Sequence, residues 1–302
     1  MLIGSCFTEQ IGAKLAQHKF SIMDNPNGIL FNPASITRSI TSYIQDKQYK
    51  DEDLFYQNES WNSWEHHSRF SHPVKGTCLQ MINSSQTKAH EFLKQADWLL
   101  ITLGSAFVYE LADKQVVANC HKVPTDKFNK RLLGIDEVTA MLRAMQQELK
   151  AFNPATRIIC TISPVRHLRD GFIENNRSKA TLINAVHRLE QEGAITYFPA
   201  YELVIDDLRD YRFYAEDMVH PNYAATHYVW EKFVQACVDL PSQELMKEIN
   251  IINAARSHKP FNPQSAQHKK FLETNLERII KLQERYPYLN FENEVKYFSS
   301  NP

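Results

Sequence analysis

The chain has 302 residues, enough for one large α/β domain with extensions or for two small domains. With 43% hydrophobic and 23% charged residues it has the composition of a globular protein with a sizeable core. Its 34 Lys and Arg against 35 Asp and Glu leave a formal charge of −1, which argues against a broad nucleic-acid-binding surface.

No run approaches the roughly 20 apolar residues of a membrane-spanning helix. The start, MLIGSCF, lacks the basic residues and long apolar stretch of a signal peptide. A cytoplasmic location with no membrane partner is expected. The five cysteines, Cys6, Cys78, Cys120, Cys160 and Cys237, are scattered and include no CxxC pair. Neither a disulfide framework nor a zinc knuckle is expected, and no cofactor is implied.

In chain order, LIG at 2–4 reads as a first strand, shorter than the usual five or so residues. Its shortness raises the expectation that a few native residues precede it or that the start is internal. FTEQIGAKLAQHKF at 7–20 has helical spacing, and FSIMDN at 20–25 is expected as a second strand. ASITRSITSYIQ at 34–45 reads as a helix with Pro33 in its first turn. Residues 50–95, rich in His, Asn, Ser and Trp, break the alternation and are expected to form an irregular insertion near the site. WLLITLG at 98–104 is the clearest buried strand. A helix at 135–152, a strand at 157–163, a helix at 179–193 ending on Gly193, a strand within 195–203 and a helix at 225–240 follow. KPFNP at 259–263 reads as a linker, and 271–286 as a charged amphipathic helix. The pattern predicts an α/β fold, a three-layer doubly wound and mainly parallel sheet over 1–240, with a C-terminal helical extension over 241–302.

Two separated motifs carry chemistry. In Gly4-Ser5-Cys6-Phe7 a strand hands over to a helix, which exposes a nucleophile at the carboxyl end of the sheet. The helix N-terminus is expected to lower a thiol pKa and to favour an oxyanion. The plainer alternatives are Ser5 as helix N-cap and Cys6 as small core filler. Far along the chain, AEDMVHPN gives Asp217 and His220 as D-x-x-H before a helix. A carboxylate three residues before an imidazole can fix one ring nitrogen and leave the other for a nucleophile. The alternative is a capping Asp beside a surface His.

A nucleophile after the first strand and D-x-x-H before the last helix of the α/β region together resemble the SGNH/GDSL hydrolases, whose fold is flavodoxin-like. A closer resemblance rests on GSCF at 4–7, NPNGILFNPASI at 25–36, SWEHHSRFS at 63–71, ITLGSAFVYE at 101–110, VANCHKVP at 117–124, TISPVRHLRDG at 161–171, the segment 197–221 and KPFNPQS at 259–265. Together these look like the GSCFA family, which is bacterial. The resemblance implies that Cys6, rather than Ser5, falls at the nucleophile position, and that Gly28 supplies an oxyanion-hole N–H. Gly104 occupies the third block, but the Asn usual there is absent, and Asn27, Asn32 or a residue of the NCHK segment would have to compensate. An esterase, an O-deacetylase or an O-acyltransferase is implied, with a small-molecule or carbohydrate acyl ester as substrate.

Further candidates surround this set. Asn119, Cys120 and His121 form a polar loop cluster. His67, beside His66, and Arg166, beside His167, are expected to contact substrate. Arg209 and Arg212 suit a substrate anion, but pairing with Asp206, Asp207 or Asp210 is the simpler expectation, with Tyr211, Phe213 and Tyr214 in the core. Two other function classes stay open: a glycan- or ligand-binding module on a degenerate scaffold, and a metal-dependent hydrolase built on His66, His67, His121 and His220.

Overall fold

The computed structural model describes residues 1–299. The chain forms two compact units, one of Met1–Gly12 with Ile22–Trp230, the other of Ala13–Ser21 with the chain from Glu231 onward.

The first unit is built on a parallel sheet of β1 (Leu2–Gly4), β4 (Trp98–Leu103), β8 (Arg157–Ile162) and β9 (Thr196–Phe198), in the order β1-β4-β8-β9. Ile3 pairs with Ile101, Ile101 with Cys160, and Cys160 with Tyr197. The continuous apolar runs of β4 and β8 suit strands covered on both faces. Leu99, Ile101 and Leu103 are wholly buried in one cluster with Ile36 and Ile40 of α2 (Pro33–Ile44), Val138 and Leu142 of α4 (Ile135–Phe152), and Leu182 and Val186 of α5 (Gly171–Gln191). Asn32 caps α2 by accepting the Ser35 N–H at 2.8 Å, with Pro33 at its start. Phe7 and Ile11 of α1 (Cys6–Gln17) and Val229 of α7 (Tyr223–Cys237) are buried apart from that cluster.

Two expectations are corrected, and one element is new. The strand expected at 20–25 reduces to a single parallel bridge between Leu2 and Asp24, because only the backbone of residues 23–25 reaches β1. Residues 50–95 are ordered secondary structure. A hairpin of β2 (Phe55–Gln57) and β3 (Ser60–Asn62) turns on Asn58 and Glu59, both with positive φ, and α3 follows over Lys75–Gln95. The buried stripe of α3 is Cys78, Ile82, Gln86, Ala89 and Leu93. Its helical spacing is real, but a Gln and two small residues hide it from a hydrophobicity count. A separate antiparallel sheet of β5 (Phe107–Glu110), β6 (Val116–Val117) and β7 (Asn129–Leu132) was not anticipated.

In the second unit α8 (Leu240–Ser257), α9 (Ala266–Arg285) and α10 (Glu292–Ser299) gather Ile249, Ile252, Ile279, Leu282 and Phe291 into their own core. Asp239 and Ser265 cap α8 and α9. Glu294, 4% exposed, accepts Lys19 at 2.8 Å and Arg256 at 3.1 Å. Among the described residues no helix is long and apolar enough to cross a membrane.

Candidate functional site

The candidate nucleophile segment sits at the carboxyl end of the sheet. Gly4 has φ +150°, and a Cβ there would lie 2.3 Å from the Thr102 carbonyl oxygen, so only glycine lets β1 leave the sheet this close to β4. Ser5 is 3% exposed, and its hydroxyl donates to Ser163 Oγ at 3.0 Å. That bond commits the hydroxyl proton to Ser163, while the Ser5 carbonyl accepts the Thr8 N–H at 2.8 Å in the first turn of α1. Cys6 opens α1 and is half-buried. Burial pushes its thiol pKa up, and Glu9 adds to this. The amides of Phe7 and Cys6 and the Lys179 ammonium pull the other way with less effect. The expected low-pKa thiol is therefore not what this geometry gives, because desolvation outweighs the helix N-terminus.

Lys179, which the sequence reading passed over, stands beneath this segment. It is 1% exposed, and Nζ donates to the carbonyls of Gly104 at 2.7 Å and Ser163 at 2.6 Å, just beyond β4 and β8. Burial lowers its pKa to about 7, against a raising effect of Cys6. A signal was present. Lys179 lies three residues before Leu182 and seven before Val186, on the buried stripe of α5.

Asp217 and His220 meet in a tight loop. His220 Nδ1–H donates to Asp217 Oδ2 at 2.6 Å, and Asp217 Oδ1 accepts the N–H groups of Val219 at 2.9 Å and His220 at 3.0 Å. The backbone bond from His220, then its ring, hold the carboxyl down at about 2. Met218, between them, has φ +56°. Arg166 straps this loop to the end of β8: its N–H donates to Val219 O at 3.1 Å and Nη1 to Met218 O at 3.0 Å. The Cys6 sulfur makes no hydrogen bond to His220 in this structure. His167 stands near His220 and Lys179, whose charges act on it. Its Nε2 is buried without a partner, packed so close to Gly104 that a Cβ there would meet it at 3.0 Å. Burial, then the charges of Lys179 and His220, lower its pKa to about 4, so it is a neutral imidazole.

A cavity of about 800 Å³ opens beside this set, lined by Asn32, Ser105, Asn119, Cys120, His121 and His167 among others. Cys6 and His220 do not line it, but Val219 does. The Asn32 side-chain oxygen caps α2, and its amide NH₂, in the cavity wall, makes no hydrogen bond among the described residues. His121 donates Nε2–H to Ser63 O at 2.9 Å, and Asn119 Oδ1 accepts the His121 N–H at 2.8 Å. Cys120 is half-buried with its pKa raised by burial.

Two expected oxyanion donors are already used. The Gly28 N–H donates to Asn25 O at 2.8 Å, and the Gly104 N–H to Phe31 O at 2.7 Å. Asn27 is occupied as well, donating to Ser39 Oγ at 3.1 Å. Gly28 is required for its backbone: φ is +85°, and a Cβ would fall 2.1 Å from that of His67. His67 in turn accepts the Arg69 N–H on Nδ1 and positions this turn rather than lining the cavity. Among the described residues no three His, Cys, Asp or Glu side chains converge as a metal-binding group.

The model of the family described as "GSCFA family" matches residues 1–233, and that of the "GSCFA domain protein, C-terminal domain" matches 249–301. No curated protein and no solved structure matches the chain significantly.

Proposed function

Since the chain belongs to the GSCFA family, we propose that it is an SGNH-type acyl-ester enzyme, an esterase or O-acyltransferase, with Cys6 as nucleophile and Asp217–His220 as acid–base pair. The observation that carries this reading is the 2.6 Å Asp217–His220 contact, which fixes the tautomer and leaves Nε2 open. The sheet order supports the fold assignment. Counting the Asp24 bridge as a vestigial strand, it runs 2-1-3-4-5, the flavodoxin-like order, with ligands at the carboxyl ends. Cys6 is favoured over Ser5 because the Ser5 hydroxyl is buried on Ser163.

In this reading His220 Nε2 takes the Cys6 proton and Sγ bonds to the ester carbonyl carbon. The tetrahedral intermediate collapses, and the alcohol leaves with the proton that His220 returns. Water, or an acceptor hydroxyl, then attacks the thioester while His220 takes its proton, and Sγ is released. Lys179 holds the developing thiolate, and the Asn32 amide donates to the oxyanion in place of the missing third-block Asn. The separation of Cys6 from His220 closes on substrate binding, as catalytic contacts often tighten. The cavity volume suits a small ligand, and its amide- and imidazole-rich wall favours an acylated carbohydrate.

A second reading, a binding module without catalysis, draws on the spent N–H groups of Gly28 and Gly104. Turnover of p-nitrophenyl acetate separates the two. Thiol alkylation, Cys6→Ala and His220→Ala are each expected to lower it about 100-fold or more. Equal rates in treated, substituted and parent protein sink the covalent reading, and loss in Ser5→Ala alone moves the nucleophile to Ser5.

A further inference from the structure

Arg166 lines the large cavity and also a second one of about 260 Å³, shared with Tyr201, Arg209, Tyr211 and Tyr214. Its guanidinium stands 5.4 Å from the ring centres of Phe172 and Tyr214 and 5.6 Å from that of Tyr211. Tyr211, expected in the core, is 62% exposed, and Phe172 is 64% exposed. These rings form a wall around a cation instead of filling a core.

Arg209 is the second cation. Its expected carboxylate partners are occupied elsewhere or not engaged. Asp210 holds Arg212 through Nη2 at 2.9 Å and through its N–H at 2.8 Å, and Asp207 accepts the Tyr228 hydroxyl. Arg209 makes no ion pair or hydrogen bond among the described residues. Its backbone is left-handed, φ +37° and ψ +35°, where it ends the turn of Leu203–Leu208. A non-glycine residue held there costs roughly 1 kcal/mol or more, which persists only where the surroundings enforce it. The cavity thus has two guanidiniums and one carboxylate, and that carboxylate is held by a third arginine.

We propose that this cavity is an anion subsite, where Arg166 and Arg209 take a carboxylate or phosphate carried by a planar or apolar group stacked on Tyr211 and Tyr214. Arg166 grips Met218, between Asp217 and Val219, so an anion seated there lies next to the acid–base loop. Its link to turnover rests on the acyl-ester reading, but its affinity for anions does not.

Titrating the full-length protein with phenyl phosphate, with phenol as the neutral control, tests it by calorimetry. Binding of phenyl phosphate over phenol is expected, weakened about tenfold in Arg209→Gln and unchanged in Arg212→Gln. With 4-acetoxybenzoate as ester, Arg209→Gln raises KM and leaves kcat in place. Equal phenyl phosphate affinity in parent and Arg209→Gln, or phenol binding as tightly as phenyl phosphate, overturns the subsite. Selective anion binding without turnover of any ester keeps the subsite and overturns the acyl-ester reading.

Discussion

A lysine removed from water costs several kcal/mol unless its ammonium is bonded, and Lys179 has the carbonyls of Gly104 and Ser163 for that purpose. Cys6, His167 and the Tyr201 ring also face it. With a folded pKa of about 7 against roughly 10.4 when exposed, the unfolded chain binds more protons between those values. The penalty of burying the charge is therefore complete below about pH 7 and relieved as the pH rises toward 10. Denaturation of the parent and Lys179→Met between about pH 6 and pH 9 is expected to diverge in the parent's favour, by up to about 1.4 kcal/mol per pH unit. Parallel stabilities across that range would mean that Lys179 keeps an ordinary pKa. Lys179 was hard to read because lysine on an amphipathic helix is normally solvated. Asp217 and His220 were easy to pick out, since a three-residue spacing closes a local turn whatever surrounds it. The donor role expected of Gly28 depended on where one N–H points, which only the turn itself decides.

Elements with one strong period could be read from the sequence. The helix expected at 135–152 has those bounds, and the strand expected at 98–104 spans Trp98–Leu103. Elements whose buried stripe mixes polar and small residues, such as α3, were not, and neither were the two- to four-residue strands of the antiparallel sheet. The turn at Gly28 lies between these cases: the glycine is visible, its partner is not. It sets residues 25–32 against β1 through Gly4 N–H to Asn25 Oδ1 at 2.8 Å and Leu30 N–H to Gly4 O at 3.1 Å. Gly28→Ala brings both a positive φ and a clash with His67, and is expected to cost about 2 kcal/mol or more in urea denaturation. A loss below about 0.5 kcal/mol would mean that the turn relaxes freely.

At the scale of the molecule, the first unit sets its candidate residues along the carboxyl edge of the parallel sheet. The β1–α1 junction supplies Cys6, the ends of β4 and β8 frame Lys179, and a loop strapped by Arg166 holds Asp217 and His220. Chain order made this placement expected, because parallel strands put all their carboxyl ends on one edge. The separation left between Cys6 and His220 was not visible in the sequence, since it depends on how far α1 and the 214–221 loop lean toward each other. The central claim is that an acyl group passes through Cys6 with His220 as its base. Rapid quenching of the enzyme with p-nitrophenyl acetate, followed by peptide mass mapping, tests it most directly. One acetyl group on Cys6 is expected in the parent protein, with none there in His220→Ala. Acetylation of Cys6 to the same extent and at the same rate in His220→Ala, or an acetyl group found on Ser5 with Cys6 unmodified, would contradict it.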